Sequence, residues 1–149
     1  MHVPAILVAM LLSTNASGPP KTESACAGLS AAERNLTFIV PAKDVEGVVP
    51  LREQRFHVSR SNALPVLTGA IIYVRPESGL TVDRLQRISS CHVAEVAGHA
   101  DGCPLLVPGA VTSVRFDGNR FVVEVRSDNP ERAGDILRRA QDLTSSSSS

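Results

Sequence analysis

The side chains able to do chemistry are crowded into one stretch of this chain. Residues 81–104 read TVDRLQRISSCHVAEVAGHADGCP and include Cys91, His92, His99 and Cys103. The whole chain has three cysteines and four histidines, so this stretch carries two of each. Cys91 and His92 are neighbours in a segment of helical period, where adjacent side chains diverge by about 100°. They are poorly placed to bind one ion together. Nor can they face each other as a thiolate–imidazole nucleophile pair, which needs hydrogen-bond reach. His92 falls instead on the apolar stripe of Val82, Leu85, Ile88 and Val96, so it reads as a buried polar group of the core.

Cys91 lies off that stripe, towards Arg84 and Arg87. Cys103 follows Gly98 and Gly102, in a loop supple enough to fold back on the helix end. A Cys91–Cys103 disulfide is the first reading, leaving Cys26 as the odd thiol. The alternative is a copper or zinc ion held by Cys91, His99 and Cys103, with Asp101 beside them. No CxxC or HxxxH pair accompanies these residues, and no GxSxG, P-loop, GxGxxG or HExxH motif occurs. Ser89 and Ser90 are expected to bond the helix backbone rather than serve as nucleophiles. No catalytic residue and no bound organic cofactor is expected.

The elements that must position these groups follow from periodicity. Leu67–Val74 is nearly all apolar and β-branched, the signature of a central strand ended by Pro76 and Gly79. Thr81 caps a helix expected to run to about Ala97, with Gly98 as its stop. Residues 110–116 and 120–126 alternate around Asp117-Gly118-Asn119 and predict a hairpin. Asn129 and Pro130 open a second helix with the stripe Ala133, Ile136, Leu137, Ala140 and Leu143. The order β-α-β-β-α is the ferredoxin-like plan without its last strand. Val49–Val58 is the candidate for the vacant edge, although Pro50 and the polar run Arg52-Glu53-Gln54-Arg55 make a poor strand pattern. The expected fold is therefore α+β, an antiparallel sheet with an additional N-terminal edge strand and two helices on one face. The other face is open, or covered by Leu29–Val40.

The N-terminal region has a different character. Val3–Leu12 is a ten-residue apolar run followed by small residues at Thr14-Asn15-Ala16, the layout of a signal peptide over residues 1–16. Such a run is too short to span a bilayer, which takes roughly 20 residues. Cys26 lacks the leucine of a lipid-attachment motif and sits far past the apolar run. Residues 17–48 read as a mostly irregular spacer, relieved by a capping box at Ser30 and Glu33 and a short strand at Leu36–Val40. Asn35-Leu36-Thr37 matches a glycosylation sequon. The single α+β domain is expected over residues 49–144, with residues 145–149 as a serine tail.

Composition narrows the function classes. Fifteen basic residues balance fifteen acidic ones, so no general field draws the chain to nucleic acid or acidic membranes. Aromatic residues make up 3 % with no tryptophan, which argues against base stacking.

The run GLTVDRLQR…CH, then CPL, then VRFDGNRFVVEVRSDNPERAGDILRRA resembles a group of small uncharacterised exported proteins of proteobacteria, myxobacteria among them. It covers about Gly79–Leu143. The resemblance implies an envelope setting and directs attention to Cys91, His92 and Cys103; it implies no activity. The sequence thus predicts an exported, periplasmic or secreted binding domain whose partner is an envelope protein or a small ligand. Alternatives are a periplasmic copper or zinc carrier, and a small hydrolase or redox enzyme.

Overall fold

A computed structural model describes residues 25–35, 38–56, 63–95 and 102–145. Four strands form one antiparallel sheet: β1 (Val45–Phe56), β2 (Ala63–Val74), β3 (Val111–Phe116) and β4 (Phe121–Arg126), in the spatial order β1-β2-β4-β3. Among the described residues three α-helices accompany them: the single turn α1 (Ala31–Arg34), α2 (Val82–Ala94) and α3 (Pro130–Ser145). Short 3₁₀ turns lie at Ala42–Asp44 and Pro104–Leu106. The α+β class and the antiparallel sheet agree with expectation.

Alternation along the central strands sets the core. Ala70, Ile72 and Val74 of β2 and Phe121, Val123 and Val125 of β4 point to one face and are buried. Leu85 and Ile88 of α2 and Ile136 and Ala140 of α3 pack into the same cluster. Both helices start where the sequence signals them. Thr81 Oγ1 accepts from the Arg84 N–H at 3.1 Å, and Asn129 Oδ1 accepts from the Arg132 N–H at 3.1 Å. The hairpin turn is held by Asp117 Oδ1, which accepts from the N–H groups of Asn119 and Arg120 at 3.1 and 3.0 Å. Those two donors hold the Asp117 carboxyl below its ordinary pKa.

Gly69 lets β2 approach β4. Its φ is 155°, and a Cβ built there would stand 1.9 Å from the Val125 carbonyl oxygen. No other residue type fits without moving a central strand.

Helix α2 also tends the outer edge of β3. The Gln86 side-chain amide accepts from the Val114 N–H at 2.9 Å and donates to the Thr112 carbonyl at 3.4 Å. One side chain thus bonds the strand as a neighbouring strand would.

Several boundaries differ from expectation. Strand β1 fills the predicted edge but begins at Val45, and its register shifts between Val45 and Gly47 and again between Leu51 and Arg52. The first inserts an extra residue on β1 and the second one on β2, so the pairing is long although it is not regular. Residues 52–56 pair only with 63–67, beyond the reach of β4, which pairs with 69–74. Among the described residues this end is a two-stranded ribbon with no third strand beside it, and a polar composition suits it. Arg126 with Glu53 at 3.7 Å and Arg55 with Asp128 at 3.3 Å tie it down.

The expected spacer is corrected. Among the described residues before and at the start of β1, Cys26, Leu29, Phe38, Ile39, Val40 and Val45 are buried in the core. The predicted strand at Leu36–Val40 is absent: residues 38–40 form a bend, and residues 36–37 lie outside the described part. Irregularly spaced apolar residues bury here through a loop, which a search for periods two or 3.6 passes over. The Ser30–Glu33 capping box is present as read. Helix α2 ends at Ala94 rather than Ala97, with Glu95 as its C-cap. The expected stop at Gly98, the signal peptide at 1–16, the cleavage region and residues 146–149 of the serine tail lie outside the described residues.

Candidate functional site: a charged cavity and the disulfide beside it

Divergence between adjacent helical positions separates Cys91 from His92 as the spacing predicts, but it sends them to other partners. Cys91 is joined to Cys26, with their Cα atoms 4.6 Å apart, and Cys103 is the free cysteine. The expected Cys91–Cys103 bridge is therefore corrected to Cys26–Cys91. The cause is the buried N-terminal segment, which brings Cys26 and Leu29 onto the flank of α2. No local pattern around Cys26 announces this contact between residues 65 positions apart.

Cys103 sits on the His92 side of the helix, its Sγ 3.9 Å from His92 Nδ1. Both residues are buried, and His92 is the core histidine the apolar stripe implies. Burial raises the Cys103 thiol above its ordinary value of 9.0, although the Leu105 and Leu106 N–H groups act against the shift. The thiol is thus held protonated and enclosed, the opposite of an activated nucleophile. Ser90 Oγ bonds the Gln86 carbonyl at 2.9 Å, as expected, whereas the buried Ser89 hydroxyl has no partner among the described residues.

The expected metal set of Cys91, His99 and Cys103 is met only in part by the described residues. Cys91 is spent in the disulfide, and His99 and Asp101 lie outside the described residues. A different group gathers around the disulfide: the ligand atoms of Cys26, Cys91 and Glu95 all lie within 4.8 Å of one another. Cys26 Sγ stands 3.4 Å from Glu95 Oε1, a contact that cannot be a hydrogen bond while the sulfur carries no proton.

The second feature is a cavity of about 410 Å³ between the N-terminal segment, the β2–α2 connection and the first turns of α2. That volume suits a small organic ligand. Charges of both signs line it. Glu33 accepts from Arg84 Nε at 2.7 Å and from the Ser30 hydroxyl and N–H, both at 2.7 Å. The Ser30 bonds, and then Arg84, lower the Glu33 carboxyl to a pKa of about 2. Arg75 pairs with Glu46 at 3.4 Å.

Asp44 is the odd member of this wall. It is 3 % exposed, and its Oδ2 is buried with no hydrogen-bond partner among the described residues. Its backbone, by contrast, is fixed: the N–H donates to the Pro41 carbonyl at 3.0 Å and the carbonyl accepts from the Arg75 N–H at 2.8 Å. The wall of the cavity therefore encloses a carboxylate oxygen that no described residue satisfies, an expensive arrangement in a protein interior. Sequence reading missed Asp44, Glu33 and Arg84 as a group because they come from three separate segments. Only the capping box drew attention to Glu33.

The cavity presents acceptors and donors at fixed positions, with no nucleophile–base pair among the described lining residues. Compared with known proteins, the chain matches no family model, no curated protein and no solved structure.

Proposed function

We propose that this chain is a small exported binding domain that takes a ligand in the cavity beside Asp44. The observation that carries the reading is Asp44, which belongs to the wall of a ligand-sized cavity and whose enclosed Oδ2 has no donor among the described residues. A ligand bringing an N–H group, as an ammonium or amide does, would relieve that deficit by a local opening of the wall around the enclosed Oδ2. Metal ions suit the position less well, since among the described residues Asp44 belongs to no group of three ligating side chains within reach of one ion.

The export half of the proposal rests on the Cys26–Cys91 disulfide, a bond that persists in oxidising compartments. It agrees with the signal peptide read over residues 1–16, and no described helix is long and apolar enough to cross a membrane. The fold is read in the same proposal as ferredoxin-like. From β2 onward the order is β-α-β-β-α, and β1 stands beside β2 where that plan has its closing strand. The hydrolase or redox-enzyme alternative gains nothing from the enclosed, protonated Cys103 beside His92.

The test is calorimetric titration of the oxidised protein with a panel of small amines, amides and carboxylates, repeated on Asp44→Asn. Binding of an amine or amide that Asp44→Asn weakens at least tenfold is expected. Binding indifferent to Asp44→Asn, or confined to carboxylates, would refute the site.

A further inference from the structure

The three ligating groups beside α2 do not belong to the cavity, and they are gathered at one place. Cys91 and Glu95 are four positions apart on α2 and its C-cap, so they share one face of the helix. Cys26 meets them from the N-terminal segment, and all three ligand atoms fall within 4.8 Å. Both sulfurs are buried, while Glu95 is half-buried and gives the group its outlet to solvent. Two sulfurs and one carboxylate oxygen suit borderline-soft zinc better than magnesium or calcium, which take oxygen.

We infer that Cys26, Cys91 and Glu95 form a zinc-type metal site in the reduced protein, and that disulfide and metal are alternative occupants of it. The chemistry balances in two steps. A dithiol reductant gives two electrons and two protons to the Cys26–Cys91 bond, which breaks to two thiols as the reductant closes to its own disulfide. A divalent ion then displaces the two thiol protons and binds two thiolates and the Glu95 carboxylate, leaving its fourth position to water. The complex would carry a net charge of minus one, and guanidinium groups stand ready to offset it. Arg34 Nη2 donates to the Cys26 carbonyl at 3.0 Å, and Arg87 Nη1 lies 3.8 Å from the position a Cβ would take on Gly28. The inference stands apart from the cavity reading, because no ligand of the metal lines the cavity.

The experiment uses the full chain, reduced with a dithiol under argon, desalted and titrated with cobalt(II), then back-titrated with zinc. We expect one cobalt per chain, a thiolate-to-cobalt charge-transfer band, and two protons released per ion. Cys26→Ser should abolish the band, Glu95→Gln should weaken binding at least tenfold, and Cys103→Ser should change neither. The oxidised protein should bind no cobalt at this site. If reduction alone unfolds the chain, zinc should restore its circular dichroism, and failure to do so overturns the inference. It is also overturned if the folded reduced protein binds no cobalt. A band that survives Cys26→Ser, affinity untouched by Glu95→Gln, or binding lost with Cys103→Ser would do the same, the last pointing to the Cys91, His99 and Cys103 set.

Discussion

Replacing Cys26 and Cys91 together by alanine should cost this domain far more than removing its other cysteine. The bond closes a loop between residues 65 positions apart. In the chain-entropy model a loop of that length restricts the unfolded ensemble by about 4 kcal/mol at 25 °C. A bridge from Cys91 to Cys103 would close only about a dozen residues and be worth about 3 kcal/mol. Lost packing adds to the measured figure, since both sulfurs are buried. Against a total stability of about 5–15 kcal/mol, the double variant keeps a fold but a marginal one. Urea unfolding reads this directly: with a slope of about 2 kcal/mol per molar, the midpoint should fall by about 2 M. Cys103→Ala serves as the control and should lose only its own packing, about 1 kcal/mol. Non-reducing peptide mapping should recover Cys26 joined to Cys91. Recovery of Cys91 joined to Cys103, or a double variant within about 1 kcal/mol of the parent, would refute the reasoning.

Three further outcomes are expected. Gly69→Ala should prevent folding or cost more than about 3 kcal/mol, because its methyl meets the Val125 carbonyl; a soluble variant with unchanged melting temperature would contradict the close approach of β2 and β4. Asp44→Leu should stabilise the ligand-free protein by about 1–3 kcal/mol by removing an unsatisfied buried acceptor, and a loss of stability in thermal melts would show that Asp44 has a structural partner. Glu33, lowered from 4.5 to about 2, contributes stability that is present above pH 4.5 and lost as pH falls towards 2. Its exposure and solvent screening make that contribution small, so Glu33→Gln should flatten only part of the acid-induced drop in urea midpoint; Asp117 and Asp135, also lowered, supply the same sign. A parent and variant that lose stability in parallel between pH 5 and pH 2 would exclude the Glu33 linkage.

Regular elements were legible in the sequence because their burial repeats. The 111–126 hairpin, the α3 stripe and the caps at Thr81 and Asn129 stand close to where alternation and helix signals put them. Strand β1 was half-legible: its pairing shifts register twice, and its polar residues 52–55 lie on the stretch that pairs with β2 beyond the reach of β4. Phe38, Ile39 and Val40 were misread for a related reason, since a buried bend has no period to detect. The disulfide and the cavity were not legible at all. Each depends on how the chain before β1 folds across α2, and that path is set by long-range packing rather than by any local motif. His92 was read correctly because the helical stripe alone determines its side.

The glutamine clasp on β3 bears on how this sheet behaves in a crowded solution. An open β-sheet offers a template at each border, and growth onto that template underlies both strand-adding recognition and fibrous aggregation. At one border Gln86 already occupies the Val114 donor and the Thr112 acceptor. At the other, Pro50 has no N–H to offer and the register slips just past it, between Leu51 and Arg52. A newcomer strand would have to evict a glutamine on one side or straddle a proline on the other. Val111 and Phe116 remain exposed at the two ends of β3, where greasy side chains would otherwise invite such growth. Loss of Gln86 is therefore expected to appear first as concentration-dependent fibre formation rather than as a lower melting temperature.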